Sequence, residues 1–517
     1  MIKIGLLSLQ NFATPLGLGY LISWYNKYSK YKDEVEFKIV EIARHDGQVL
    51  VAPHGIVKSL VDFDVVGITT ITQDHMSTVE VCDLLYKKNI HVILGGHHVS
   101  ALPDKLPKSS KVGVIGEGEI TFQELIDLYV EKGGFPKDNL ANIDGICFHT
   151  DDGGVAKTKA RARILDADSI PPPDREYYDQ AHFIPRFRWK NKVVGSILTS
   201  RGCPYLCVFC SSSAHWTRLF KYFSAEYVVD EMIYLHKKYD VTIFQIFDDL
   251  GTVTRKRWEK IRDLLKEKGY LGKFEFHAQC RADIFDEEVC RLFKELNFTE
   301  LEFGIEAGTQ ETLNYLKNVK KNIQGVEHNW RAINLCLKYN MNVWVQLIVG
   351  SPNETIEDVK ETLRFTEIPG VRSQVCLLTP LPGTPLWEDC LRKGLVSNDM
   401  DWSRLHLELN DQTFFNRIYV NEKIHKKELW NLIKVKLESN VVTEVNQIEL
   451  SFKTFYNMFK LLAHNPRTYS RIYSRKLKLY LLAYMRKFAG MIFLTTSVST
   501  SPMVTHSNNS GNSNLID

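Results

Sequence analysis

Cys203-Pro204-Tyr205-Leu206-Cys207-Val208-Phe209-Cys210 is the stretch on which the reading of this chain turns. It lies on a loop opened by Arg201-Gly202, directly after an apolar run (194–199) that predicts a strand. Three thiolates so close together can wrap one soft metal centre. Structural zinc sites are closed by four ligands, often built from two separated pairs. Here the spacing is three then two, no second pair lies nearby, and His215 is the plain candidate for a fourth ligand. Three thiolates also suit an iron–sulfur cluster that leaves one iron open for something other than protein. Spacing favours the cluster, with zinc as the alternative. The other cysteines (Cys82, Cys147, Cys280, Cys290, Cys336, Cys376 and Cys390) are scattered singly and read as small core hydrophobes.

Downstream of the loop, strand and helix patterns alternate. Strands are expected at 194–199, 242–247, 274–278, 300–303, 343–349 and 374–378. Helices are expected between them at 225–238, 256–268, 287–296, 330–338 and 356–366. Such a series predicts a partial parallel barrel spanning 191–395, with its chemistry on the loops after each strand. Upstream, residues 1–135 alternate in the same way, with strands expected at 2–9, 35–42, 65–69, 91–94 and 112–115 and helices at 16–28, 78–88 and 121–131. This predicts a doubly wound, Rossmann-like α/β domain that binds ligands at the carboxyl ends of its strands. Between the two series, 136–190 reads as a hairpin around Asp151-Asp152-Gly153-Gly154 followed by a Pro171-Pro172-Pro173 connector. Residues 396–494 read as mainly helical, and 495–517, rich in Ser, Thr and Asn, as a disordered tail.

The chain has 517 residues, 44% hydrophobic and 25% charged, which excludes wholesale disorder and a fibrous chain. Lys and Arg number 65 against 62 Asp and Glu, so the global charge gives no sign of a nucleic-acid binder. One local exception is 451–487, which carries nine Lys or Arg and no acid among Phe and Tyr. Such a run could touch an anionic membrane surface or cover the barrel mouth, although a solvated helical face is the commoner use. No run of 18 apolar residues is present, and the first nine residues lack a secretory cleavage pattern, so a cytoplasmic, reducing location is expected.

The C-x3-C-x2-C spacing with Phe209 before the last cysteine resembles the hallmark of the radical S-adenosylmethionine superfamily, and the resemblance covers 194 to about 390. It implies that Cys203, Cys207 and Cys210 hold a [4Fe-4S] cluster whose open iron binds the amino and carboxylate groups of S-adenosylmethionine. One electron, from a donor such as flavodoxin or ferredoxin, would then release a 5′-deoxyadenosyl radical. Other segments fall where that family places cofactor contacts: Asp248 and Asp249 after the second barrel strand, and Gly304-Ile305-Glu306-Ala307-Gly308 after the fourth. Gly350-Ser351-Pro352-Asn353-Glu354-Thr355 follows the fifth, and Thr379 to Pro385 the sixth. Each could equally be turn chemistry, and Arg281 could meet a carboxylate or form an ion pair.

In the N-terminal series, Gly95-Gly96-His97 with Pro103, and Gly116-Glu117-Gly118-Glu119, end two neighbouring strands. Paired glycines there make a ledge for a large planar ligand, or simply serve turns. Ahead of a three-cysteine barrel, this pairing resembles the cobalamin-binding subgroup of the same family. The resemblance implies a corrinoid lined by Gly95, Gly96, His97, Gly116, Glu117 and Gly118, with Thr70 and Thr72 near it. The Asp-x-His-x-x-Gly motif that ligates cobalt from below in methionine-synthase-like domains is missing, as it often is in this subgroup. The implied activity is methylation of an unactivated carbon of a small molecule. The same machinery could instead perform a cyclisation, ring contraction or rearrangement, and a non-catalytic corrinoid carrier is the reading from a different class.

Overall fold

The computed structural model describes residues 1–434, apart from 10–13, 43, 46–47, 50, 186–188, 217, 252–253, 320–323, 407–408 and 410. The basic run 451–487, the tail 495–517 and most of the expected helical region lie outside the described residues. Within 396–434 the described residues form the helical turns Trp402–Leu405 and Asp411–Phe414 and a helix over 426–434.

Seven strands form the first sheet: β1 (Ile2–Ser8), β2 (Val35–Glu41), β3 (Val65–Thr69), β4 (His91–Gly95), β5 (Val112–Val114), β6 (Ile146–His149) and β7 (Val155–Lys157). Their spatial order is β2-β1-β3-β4-β5-β6-β7, parallel through β5 and antiparallel beyond it. Both faces are buried, as parallel strands require. Ile4 and Leu6 of β1 join one core cluster with Tyr25 and Phe122, while Leu7 joins the opposite one with Val81 and Leu85. The chain leaves β1 to β2 on one side and β3 on the other. That switch point opens a crevice at the carboxyl ends, where doubly wound sheets bind ligands.

The hairpin expected within the connector belongs to this sheet. Phe148 pairs with Val112 and Ile146 with Val114, so β6 and β7 cover the edge that β5 would otherwise expose. The first sheet therefore continues past residue 135.

The second sheet contains β8 (Val193–Ile197), β9 (Val241–Ile246), β10 (Glu275–Cys280), β11 (Phe298–Glu306), β12 (Asn342–Val349) and β13 (Val371–Leu377). All six are parallel and lie in chain order, the topology of a partial barrel. Phe276, Phe303, Val345 and Val375 pack outward beneath the helices. The alternate residues face inward and include a polar group: Gln346 Nε2 donates to Glu302 Oε1 (2.6 Å) and to Gln374 Oε1 (3.2 Å). Filled barrels stack branched aliphatic side chains there; this lumen is lined for a polar occupant.

The connector is pinned to the barrel by Arg175. Its Nη2 donates to Ser196 O (2.9 Å) and Glu231 Oε1 (2.6 Å), with both side chains 2% exposed. Removing one partner of a buried pair strands the other charge. Arg175→Met should therefore lower the unfolding free energy by about 3–5 kcal/mol in urea titrations, and adding Glu231→Leu should recover most of that loss.

Candidate functional site

The cysteine loop begins where β8 ends. Asp248, after β9, accepts from Thr199 N (2.6 Å), Thr199 Oγ1 and Ser200 Oγ (2.8 Å), and is 2% exposed. Its carboxylate brackets two strand ends. Asp249 is exposed and accepts from Gly202 N (3.2 Å) at the loop's entrance. Gly202 sits at φ +83, and a Cβ there would stand 2.0 Å from Leu219 O, so no other residue fits this turn.

Further along, Val208 N donates to Leu316 O (2.9 Å), Val208 O accepts from Leu386 N (3.0 Å), and the Arg281 guanidinium lies over the Tyr205 ring (3.7 Å). Arg281 is also paired with Asp283 through Nε and Nη2 (both 3.0 Å), the ion pair that sequence left open. Burial raises the thiols of Cys203 and Cys210, the latter to about 12, and the charges of Cys207 and Asp249 push both the same way. Among the described residues no three His, Cys, Asp or Glu side chains converge to hold a single metal ion. His215, the fourth ligand of the zinc alternative, instead packs against His97 (ring centroids 4.4 Å apart). The donor set on the loop, three soft thiols and no fourth protein ligand beside them, fits an iron–sulfur cluster with one open corner.

Two more turns flank the loop. Glu306 closes β11 at φ +64, outside the usual range for a residue with a side chain, and Lys317 Nζ holds its carboxylate at 2.8 Å. Both are buried. After β12, Glu354 Oε2 accepts from Gly350 N (2.5 Å) and Ser351 N (3.0 Å), while its buried Oε1 is without a partner. Asn421 clamps this turn from the C-terminal segment: its Nδ2 donates to Ser351 O (2.5 Å) and Glu354 O (2.8 Å). Lys317 and Asn421 were not legible in the sequence, because neither lies in a motif or near its partner along the chain.

On the first sheet, Gly96 follows β4 at φ +99, and a Cβ there would meet Thr70 O at 2.6 Å. Gly95 is roomier: its Cβ would find only Val114, at 3.9 Å. Gly116 (φ +79) donates its N–H to Ser100 Oγ (3.0 Å), and Gly118 caps the helix Glu119–Lys132. Thr70 turns its hydroxyl to Thr78 (3.0 Å), and Thr72 pairs with His98 Nδ1 (3.2 Å). His98 stacks on His75 (3.8 Å), and burial depresses His75 to about 4 and His98 to about 2, so both are neutral at physiological pH. Glu117, expected along the ledge, instead points its Oε1 into a buried ion network with Arg201 (3.2 Å) and Lys221 (2.6 Å).

The two sets of strand ends face each other across a cavity of about 240 Å³. Ile71, Thr72 and His97 line it from the first sheet, Ser211 from the cysteine loop, Pro382 from the turn after β13, and Leu405 from the C-terminal segment. Around it, His75 Nδ1, His97 Nδ1, His98 Nε2 and His215 Nδ1 are buried without hydrogen-bond partners. Orphaned polar atoms of this kind call for a ligand or water. A macrocycle rimmed with amides supplies such partners, so the residues present fit a corrinoid. The cavity itself is smaller than that group and accounts only for the zone of contact.

Residues 3–126 match the B12 binding domain model and 197–366 the Radical SAM superfamily model. The chain is 31% identical over 401 residues to an uncharacterized methyltransferase of Pyrococcus horikoshii, covering 75% of this chain and 81% of that protein. It is 29% identical over 308 residues to an anaerobic magnesium-protoporphyrin IX monomethyl ester cyclase of Rubrivivax gelatinosus, covering 58% and 54%. Among solved structures, the radical S-adenosylmethionine methyltransferase TsrM of Kitasatospora setae, with cobalamin and a [4Fe-4S] cluster bound, shares the fold. Its TM-score is 0.62 at 17% identity, with 85% of this chain and 89% of that one covered.

Burial lifts Glu354 from 4.5 to about 7, while the two backbone N–H donors pull the other way. The fold therefore favours the protonated acid. The contribution of Glu354 to stability is full below pH 4.5, falls as pH rises towards 7, and levels off above it. Glu354→Gln should remove that fall, worth up to about 3 kcal/mol, in urea midpoints measured from pH 4.5 to 8.

Proposed function

The chain belongs to the cobalamin-binding radical S-adenosylmethionine enzymes, and from that premise we propose that it methylates an unactivated carbon of a small metabolite or natural-product intermediate. The family's cofactors are a [4Fe-4S] cluster, S-adenosylmethionine and cobalamin. When bound, they supply a hydrogen-abstracting adenosyl radical on one side and a transferable methyl group on the other. The observation that carries the reading is the cavity between Thr72 and His97 on one wall and Ser211 and Pro382 on the other. A carbon made reactive at one cofactor must receive its methyl from the second without leaving, which is a proximity task.

In this reading Cys203, Cys207 and Cys210 hold the cluster. Asp249, Gly304, Glu306, Gly350 and Glu354 shape the S-adenosylmethionine site. Lys317 holds the Glu306 carboxylate in place, and Asn421 fixes the Gly350–Glu354 turn. Gly95, Gly96, His97, Gly116, Gly118, Thr70 and Thr72 form the corrinoid ledge. Leu405 and Pro382 give the space between an apolar border. A one-electron donor such as flavodoxin or ferredoxin serves the cluster, and the polar lumen around Glu302 and Gln346 admits a small polar substrate. The cyclase relative supports ring closure as the second use of the same machinery.

Anaerobic reconstitution with iron, sulfide and hydroxocobalamin tests the reading. Reduction with S-adenosylmethionine should then yield 5′-deoxyadenosine, whereas a retained corrinoid with no cleavage would mark a carrier. Replacing Cys203, Cys207 and Cys210 together by Ala should abolish both the iron–sulfur absorbance and the 5′-deoxyadenosine; a full cluster in that variant refutes the ligand assignment. Gly95→Val, whose Cβ would meet nothing nearer than Val114 at 3.9 Å, should leave the melting temperature near wild type and weaken corrinoid retention at least tenfold in equilibrium dialysis.

A further inference from the structure

Four charged side chains meet between the two sheets with almost no access to water. Glu117 and Glu119 come from the Gly-Glu-Gly-Glu turn after β5; Arg201 and Lys221 come from the barrel, on the two-residue ladder in which Ser200 and Arg201 pair with Tyr222 and Lys221. Arg201 Nη1 donates to Glu119 Oε1 (2.6 Å) and Glu117 Oε1 (3.2 Å), and Lys221 Nζ donates to Glu117 Oε1 (2.6 Å). The exposures of the four side chains lie between 5% and 8%.

Aromatic packing and local anchors hold the group in place. Arg201 lies over the Tyr20 ring of the first domain (4.6 Å), and Lys221 Nζ also donates to Ile164 O in the connector (2.5 Å). Arg163, beside Gly116, donates to His215 O just beyond the cysteine loop. Glu119 opens the helix Glu119–Lys132, whose N-terminal dipole favours its charge. Buried charges are costly unless paired and hydrogen-bonded. The ion-pair partners in this group come from opposite domains, so the pairing is made in one mutual placement of the domains; Glu117 Oε2 and Arg201 Nε are buried without a hydrogen-bond partner.

The group also sits next to both proposed cofactor positions. Arg201 is separated from Cys203 only by Gly202, and Glu117 lies between the two ledge glycines Gly116 and Gly118. We propose that Glu117, Glu119, Arg201 and Lys221 are positioning residues that set the register between the corrinoid ledge and the cluster loop, and that Glu117 acts through this network rather than by touching the corrinoid. The inference rests on the cofactor reading above and adds the device that holds the two cofactors at a working separation.

The test uses the full chain loaded with the cluster and with cob(II)alamin. With the cluster reduced, the two paramagnetic centres couple, and the broadening and relaxation of the cob(II)alamin electron paramagnetic resonance signal report their separation. Wild-type protein that takes up no corrinoid defeats the cofactor reading itself, before any variant is compared. Given a loaded wild type, Glu117→Gln and Lys221→Met should keep both cofactors at wild-type stoichiometry, yet change the relaxation enhancement at least twofold. The double variant should be no worse than the stronger single one, because the residues act as a unit. Arg201→Lys, which keeps the charge, should shift the signal less than Arg201→Met.

Hydrogen exchange on the unloaded chain gives a second readout. Glu117→Gln should raise exchange together in 116–121 and 200–222 and leave 298–306 unchanged. Wild-type coupling in fully loaded variants overturns the proposal. So does selective loss of corrinoid by Glu117→Gln with unchanged exchange in 200–222, which would make Glu117 a direct ligand.

Discussion

Two parallel sheets, each obliged by its crossovers to gather its loops at the carboxyl edge, face one another across a group of buried, mutually paired charges. Everything proposed for the chemistry depends on that confrontation. Either domain alone has a ligand-binding edge of a familiar kind. Only together do they enclose a space bordered by His97 on one side and the cysteine loop on the other. Burial makes the interface demanding, since Glu117 and Arg201 can neither be solvated nor left single. It also makes the arrangement specific, because an apolar seam of equal area would tolerate sliding.

The immediate surroundings of the cavity are prepared in a second way. His75 and His98 are kept neutral by burial, and stacked on each other they add no positive charge near the ledge. Acids near the cysteine loop are each given a task. Asp248 ties strand ends, Asp249 meets Gly202 N, and Glu306 is neutralised by Lys317. The turns are therefore rigid before any ligand arrives, which lowers the ordering cost of binding.

Much of this was legible in the sequence, for physical reasons. Short apolar runs place the strands because each parallel strand buries at least one face beneath helices, and the C-x3-C-x2-C spacing marks the loop because soft ligands have to cluster. The hairpin at Asp151–Gly154 was visible as a turn, but its union with β5 was not, since an edge strand's partner leaves no local mark. Glu117 and Asp248 show what a turn motif leaves out. A carboxylate in a conspicuous turn reads as a ligand contact, whereas its true neighbours, Arg201 and Thr199, are distant in sequence. Lys317 and Asn421 were missed for the same reason: long-range pairing is written in three dimensions only.

The clamp that Asn421 places on the Gly350–Glu354 turn bears on how the molecule is made. Synthesis runs from the amino end, and strand β12 leaves the ribosome well before residue 421 does. Until that asparagine emerges and swings back, the Ser351 and Glu354 carbonyls lack its amide, and the turn is held by its own bonds, from Gly350 N and Ser351 N to Glu354 Oε2 and from Glu354 N to Ser351 O. The nascent barrel thus passes through a stage in which its sheet is complete but one rim is still slack. Maturation of that rim is timed by the arrival of a distant segment, not by closure of the barrel itself.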